Sequence, residues 1–191
     1  MLVASRKKKE NIAEYLLYMW QIEDLIRAYG LDIDKIQAGI IDNFTGLSPE
    51  QRHEMTEWYE SLIDMMRREG VVESGHLQLN KNIILQLDDL HRRLLADTRF
   101  AKYAAEFYDT LPYIVELRAK AGDAKCGEIE TCFNALYGIL LLKLQGKTVT
   151  KETMSAATRI SSFLARLSGY YKLDFNNELF KDDELFSNGS V

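Results

Sequence analysis

The sequence contains few of the residues that break helices or form disulfides. Its 191 residues include only two prolines, eleven glycines and two cysteines. Because proline and glycine are the least favourable residues in a helix interior, long stretches of the chain are free to be helical. The two cysteines, Cys126 and Cys132, lie on one predicted helix, where about 600° of rotation points them in different directions. We therefore expect no disulfide scaffold and a reducing, cytoplasmic setting.

Long apolar runs and dense basic patches are also absent. The longest uncharged run covers residues 131–142, well short of the roughly 20 residues that a membrane-spanning helix needs. The basic N-terminal residues are not followed by an apolar segment of the kind found in signal peptides. The net charge is −5 and the single basic run, at residues 6–9, is followed at once by Glu10. Since nucleic-acid binding needs a dense basic surface, we expect neither nucleic acid nor a membrane as a partner.

The spacing of apolar residues is the main positive signal. They recur three and four positions apart almost throughout the chain, which places them on one face of an α-helix. The pattern predicts seven helices, approximately at residues 8–29, 33–43, 48–70, 81–96, 97–122, 125–145 and 148–171. The clearest start is Ser48-Pro49, with Gln51 at the capping-box position. Pro112 is expected to kink or split the fifth helix near Thr110.

These helices predict an all-α fold. We expect a single, up-and-down-like helical bundle of about seven helices over residues 1–172. The last residues, 173–191, differ in composition, because five acids and a single lysine alternate there with leucine and phenylalanine. We interpret this segment as an acidic C-terminal tail that is either docked on the bundle or flexible.

Two pairs of residues have the spacing of a carboxylate–histidine metal site. Glu50 and His53 lie three apart on the third predicted helix, and Asp88 and His91 lie three apart on the fourth. Residues with this spacing share a helix face, and such pairs bind metal in carboxylate-bridged bundles. The alternative is structural. Glu50 and His53 stand in a first turn that faces water, and His91 falls among leucines as a hydrogen-bonded core residue. We favour the structural interpretation, and predict no cofactor and no catalytic residue.

Two groups of apolar residues are candidates for protein interaction. Tyr18 and Trp20 belong to a first helix that carries apolar side chains on more sides than one buried face requires. Leu179 and Phe180 lie between acids in the C-terminal tail, a pattern typical of short docking peptides. The alternatives are that the aromatic residues fill the bundle core and that the tail folds back on its own bundle. Glu23, between Ile22 and Ile26, is expected to be a buried acid that needs a partner, such as an arginine.

The first helix also carries a resemblance to a known family. Residues 8–24, KKENIAEYLLYMWQIED, resemble the opening of an uncharacterised family of bacterial all-helical proteins, a domain of unknown function. The order of helices through residues 113–118 and 137–138 is similar as well. The resemblance implies a helical, cytoplasmic protein of bacterial origin and assigns no catalytic residue.

Two functions of different classes remain open from the sequence. We favour a non-enzymatic cytoplasmic helical protein that acts through protein–protein interaction or self-association, as a homodimer or with another cytoplasmic protein. The alternative is a helical-bundle enzyme, or a small-ligand or metal-binding protein, whose cavity is lined by tyrosines, His91 and carboxylates. Convergence of ionisable groups in a cavity would favour the second function.

Overall fold

The computed structural model describes residues 2–121 and 126–180, and side chains over residues 3–120 and 126–180. Eight α-helices and no strand occur in this part of the chain, together with two short 3-10 turns. The all-α fold of about seven helices that the sequence predicts is therefore confirmed. The helices are α1 (Leu2–Glu10), α2 (Ile12–Ala28), α3 (Ile33–Gly39), α4 (Pro49–Arg68), α5 (Gln78–Ala96), α6 (Ala101–Ala121), α7 (Glu128–Leu144) and α8 (Lys151–Phe175).

The additional helix comes from a break at Asn11 that the apolar pattern did not predict. The Asn11 side-chain oxygen accepts a hydrogen bond from the Ala13 backbone N–H at 3.0 Å. Asparagine is among the best residues for starting a helix in this way. The predicted helix over residues 8–29 is therefore two helices, α1 and α2. Most of α1 was missed because its sequence is largely polar and basic, and Ala4 is its one buried side chain among the described residues.

The described chain divides into two compact units. The first comprises residues 2–8 and 14–85, and the second comprises residues 9–13 and the described residues from 86 onward. Helices α3 and α4 belong to the first unit, α6, α7 and α8 to the second, and α5 contributes to both. The predicted boundary between a bundle at 1–172 and a tail at 173–191 stays a prediction. Helix α8 continues to Phe175, and residues 181–191 lie outside the described part.

The capping box at the start of α4 forms as the sequence predicts. The Ser48 hydroxyl accepts from the Gln51 N–H at 3.2 Å, and the Gln51 side chain accepts from the Ser48 N–H at 3.0 Å. These two bonds satisfy backbone donors that would otherwise lack a partner. The helix then buries one face, made of Tyr59, Leu62, Ile63 and Met66.

Helix α6 is packed against both α7 and α8 in the second unit. It runs from Ala101 to Ala121 without interruption, so Pro112 does not split the helix, and the alternative that it kinks the helix stays a prediction. Proline removes one backbone N–H, which in this helix would have bonded to the Tyr108 carbonyl. Because both Pro112 and Tyr108 are exposed, water can take the place of that donor, and the loss is tolerated.

Candidate interaction surface

Helix α6 has an apolar face that points to solvent. Six of its exposed residues follow each other at alternating spacings of four and three. We call them the α6 stripe: Ala101, Ala105, Tyr108, Pro112, Val115 and Ala119. Tyr108 is 61% exposed and Val115 is 53% exposed. This 3.5-residue repeat is the spacing of a helix–helix seam.

The opposite face of α6 supplies the helix's contribution to its own core. Tyr103, Phe107 and Ile114 are buried there, and the Phe107 ring lies 5.7 Å from the ring of Phe163 on α8. A helix packed on one side of a bundle ordinarily has one apolar stripe and a polar outer face. Helix α6 instead carries apolar residues on both its inner and its outer face, so packing in its own unit accounts for only one of them.

Charged residues border the stripe along one side. Lys102, Asp109 and Glu116 recur seven residues apart and are all exposed. Glu116 forms an ion pair with Lys120 of the same helix at 2.6 Å, whereas Lys102 and Asp109 make no ion pair within the described part of the chain. The stripe thus has an apolar centre and a charged border, which is the usual arrangement of a protein–protein contact surface.

The two interaction candidates on α2 are less exposed than the sequence suggested. Trp20 is only 2% exposed, and its ring stacks on that of His76 with centroids 4.0 Å apart. Tyr18 is half-buried, and burial raises its pKa. Burial, with the nearby Tyr18, also raises the pKa of Tyr59 to about 12. Both aromatic candidates thus contribute to packing in the first unit.

Glu23 is the buried acid that the sequence analysis expected, but its partners are not arginines. Its carboxylate is fully buried and lies 2.6 Å from the His76 ring nitrogen Nδ1. It also accepts from the Leu77 backbone N–H at 3.0 Å and from the Asn80 amide at 2.7 Å. These donors stand at the start of α5, where a negative charge also complements the helix dipole. We interpret the cluster as the anchor that joins α2 to the start of α5.

The first residues of the predicted tail contact the second unit. The Phe180 ring lies 5.6 Å from the ring of Phe100, and the guanidinium of Arg93 lies 4.8 Å from the same ring. Leu179 is half-buried. This part of the tail therefore packs on its own chain, which is the alternative that the sequence analysis left open for these two residues.

The four metal-ligand candidates are held by ordinary partners. Glu50 accepts from the Ser48 hydroxyl at 2.7 Å, and the exposed His53 lies 3.4 Å from Glu57 on the same helix. Asp88 pairs with Arg92 at 2.9 Å. Glu50 and His53 belong to the first unit and Asp88 and His91 to the second. Residues 2–121 and 126–180 contain no group of three or more His, Cys, Asp or Glu suited to a metal ion, and the metal site remains the alternative to the structural interpretation favoured for these four residues.

His91 lies in an aromatic core of the second unit. It is 3% exposed, its Nδ1 lies 2.6 Å from the Tyr103 hydroxyl, and its ring packs edge-on against Phe107 at 4.5 Å. Burial lowers the pKa of His91, because the charged imidazolium loses its hydration there. With a hydrogen-bond partner and aromatic neighbours, His91 has the surroundings of a structural histidine.

The cysteines and clefts show no nucleophilic centre in the described part of the chain. Cys132 is buried, and burial raises the pKa of its thiol, which disfavours the reactive thiolate. A cleft of about 650 Å³ lies between the second half of α6 and the start of α8. Its charged lining residues are Glu116, Lys120, Lys151 and Glu152. The two lysines are balanced by two glutamates, and the Lys120 ammonium is paired with Glu116, so the cleft presents no net positive charge for an anionic ligand.

A comparison with known families identifies the chain. The model of the family described as "Domain of unknown function (DUF4924)" matches residues 1–178. The chain belongs to the DUF4924 family. This agrees with the resemblance seen in residues 8–24, and the match covers the eight helices in the described part of this DUF4924 protein. No curated protein and no solved structure matches it.

The described helices of this DUF4924 protein include none that is long and apolar enough to cross a membrane.

The α6 stripe is the feature that sequence reasoning missed. The apolar residues that predicted α6 were those of its buried face, and the outer stripe went unnoticed because half of its members are alanines. Its signal was present as the four-three spacing from Ala101 to Ala119.

Proposed function

We propose that this DUF4924 protein is a non-enzymatic, cytoplasmic helical protein that self-associates through the α6 stripe. The observation that carries the proposal is the exposure of a continuous apolar stripe with coiled-coil spacing on a helix that is already packed on its other side. Single exposed apolar residues are common on protein surfaces, but contiguous apolar patches usually mark contact sites. The bacterial origin implied by the resemblance stays a prediction.

The chemistry of the stripe favours a helical partner. Its three alanines allow the backbone of another helix to come close, while Tyr108 and Val115 supply apolar contact area. Tyrosine is enriched in protein interfaces because its ring is apolar and its hydroxyl remains able to bind water. The His, Tyr and carboxylate residues of the alternative function already bond to one another or to neighbours in packed surroundings, as the contacts of Glu23 and His91 illustrate.

Sedimentation velocity on the purified full chain tests the proposal. Over about 5 to 500 μM, a range suited to weak association, we expect the sedimentation coefficient of the wild-type protein to rise with concentration. The double variant Tyr108→Glu/Val115→Glu should remain a monomer over the same range, because two buried charges in the seam cost more than the contact provides.

A matched control is available on another helix. Leu85 is 61% exposed, the same fraction as Tyr108, but it lies on α5 outside the stripe. We expect Leu85→Glu to associate like the wild type, with all variants showing unchanged helical circular dichroism. A wild-type protein that remains monomeric at the highest concentration would refute the proposal, as would equal loss of association in Leu85→Glu.

A further inference from the structure

We infer that two copies of this chain pair through their α6 stripes in an antiparallel arrangement, with a two-fold axis passing beside residue 110. The inference rests on the proposed function and adds the orientation and register of the contact. It follows from three features of α6: the sizes of the stripe residues, the order of charges along the border, and the length of the stripe.

The sizes of the stripe residues match in the antiparallel direction. The stripe extends from residue 101 to residue 119, so reversing a second helix about residue 110 places each member opposite another member. Tyr108 then faces Pro112 of the second copy, and Val115 faces Ala105, each pair occurring twice by symmetry. Large residues thus face smaller ones, which allows close interdigitation. The alanines at the two ends of the stripe face each other.

The order of charges along the border fits the same register. The border residues Lys102, Asp109 and Glu116 lie on one side of the stripe. In an antiparallel pair these borders run beside each other in opposite directions, which brings Lys102 of one copy near Glu116 of the other. The symmetry produces this attractive pair twice, and in each pair Glu116 is shared between Lys102 of the other copy and Lys120 of its own helix. Asp109 meets its own counterpart at the centre, so one like-charge contact opposes two attractive ones.

A parallel pair lacks both matches. It would place Tyr108 against Tyr108 and Pro112 against Pro112 of the second copy, with equal residues facing each other. The charged border of one copy would face the opposite side of the stripe on the other, where Ala104 and Leu111 are neutral and Arg118 is paired with Glu128 of its own chain. The parallel arrangement would therefore gain no Lys102–Glu116 attraction.

The length of the stripe sets the expected strength. Nineteen helical residues span about 27 Å, which is short for a contact made by one helix from each copy. Stable interfaces bury about 1,200–2,000 Å², and a single helix pair of this length covers less. We therefore expect a weak, reversible dimer whose stability responds to single charges at the border.

Charge exchange between Lys102 and Glu116 tests the register. Lys102→Glu and Glu116→Lys should each weaken association roughly tenfold, since two attractive pairs become repulsive. The double variant Lys102→Glu/Glu116→Lys should recover the wild-type association. An equal mixture of the two single variants should also associate more strongly than either does alone, because only the mixed pair has complementary borders.

A cross-linking experiment tests the orientation by an independent measurement. In a background carrying Cys126→Ser and Cys132→Ala, chains with Ala105→Cys are mixed with mass-tagged chains carrying Val115→Cys and oxidised gently. Antiparallel pairing predicts that the mixed disulfide dominates. Parallel pairing predicts disulfides between identical positions instead. Circular dichroism of each variant checks that the fold is retained.

The outcomes separate this inference from the proposed function. If the protein dimerises and Tyr108→Glu/Val115→Glu abolishes it, but charge exchange gives no recovery or identical-position disulfides dominate, the antiparallel register is overturned and self-association stands. If neither wild type nor any mixture associates, both are overturned. Recovery in the mixed variants together with a dominant mixed disulfide supports the inference.

Discussion

Replacing Glu23 by alanine should destabilise the first unit more than any surface substitution. Glu23 is fully buried, and its carboxylate bonds His76, the Leu77 N–H and the Asn80 amide. Among the described residues it is the one buried acid. The Glu23→Ala substitution removes the acceptor but leaves the donors in place, which is the costly way to break a buried hydrogen-bonded group.

The size of the effect follows from the exposure of the donors. Asn80 and Leu77 are fully buried, and each buried donor left without an acceptor costs about 1–3 kcal/mol. The His76 side chain is 27% exposed, so water can partly replace its lost partner. The free energy of unfolding should therefore fall by about 3–4 kcal/mol, within the usual range for breaking a buried pair. Glu23→Gln keeps one acceptor oxygen, and we expect a loss of about 1–2 kcal/mol.

Urea unfolding followed by tryptophan fluorescence measures this loss. Both tryptophans of the chain, Trp20 and Trp58, lie in the first unit, so the fluorescence signal follows the unit that contains Glu23. A shifted midpoint with an unchanged slope would report a change in stability alone. Glu54→Ala is the matched control, because Glu54 is exposed on α4 and its loss should change stability by less than about 0.5 kcal/mol.

The reasoning would be refuted by a Glu23→Ala variant that unfolds at the same urea concentration as the wild type. It would also be refuted if Glu23→Gln were as unstable as Glu23→Ala, because the retained amide oxygen would then contribute nothing. An equal loss in Glu54→Ala would show that helix propensity or charge, rather than the buried hydrogen bonds, determines the result.

Two further predictions concern buried groups of the second unit. Burial lowers the pKa of His91, so its stabilising contribution is present above the unfolded-state pKa of about 6.5 and is lost as the pH falls below it. Urea unfolding should therefore show that the free energy of unfolding falls more between about pH 7.5 and about pH 5.5 in the wild type than in His91→Gln. An equal fall in both proteins would contradict a lowered pKa for His91. Because Cys132 is buried with a raised pKa whereas Cys126 is half-exposed, mass spectrometry after iodoacetamide treatment should find one adduct in the native protein and two in urea. Modification of Cys132 in the native protein would contradict this.

The sequence predicted the helices well because their signal is local. Apolar spacing and turn residues determine where a helix runs, and the capping residues Ser48 and Gln51 even determine how one begins. The break at Asn11 was missed because the apolar spacing continues across it. The cap depends on a single side-chain bond to the Ala13 N–H, which competes with helix continuation by a small free energy.

The partners of Glu23 show what local patterns cannot supply. His76 and Asn80 lie more than fifty residues away in the sequence, and no spacing rule relates them to α2. Their position depends on how the segment before α5 is held, partly by Arg27, whose guanidinium donates to the carbonyl oxygens of Val71 and Gly75. The sequence showed that a buried acid needed a partner, but only the fold determines which one it has.

The exposed apolar stripe of helix α6 could have been predicted from the sequence. Its residues form two apolar stripes on opposite faces, one through Tyr103 and Phe107 and the other through Tyr108 and Val115. A helix at the edge of a bundle can bury only one such stripe in its own unit. The second stripe is therefore left without a partner in that unit, and this is the observation on which the proposed self-association rests. Predicting the second stripe from the sequence requires that alanine and proline be counted as apolar, because only two of its six members, Tyr108 and Val115, are large apolar residues.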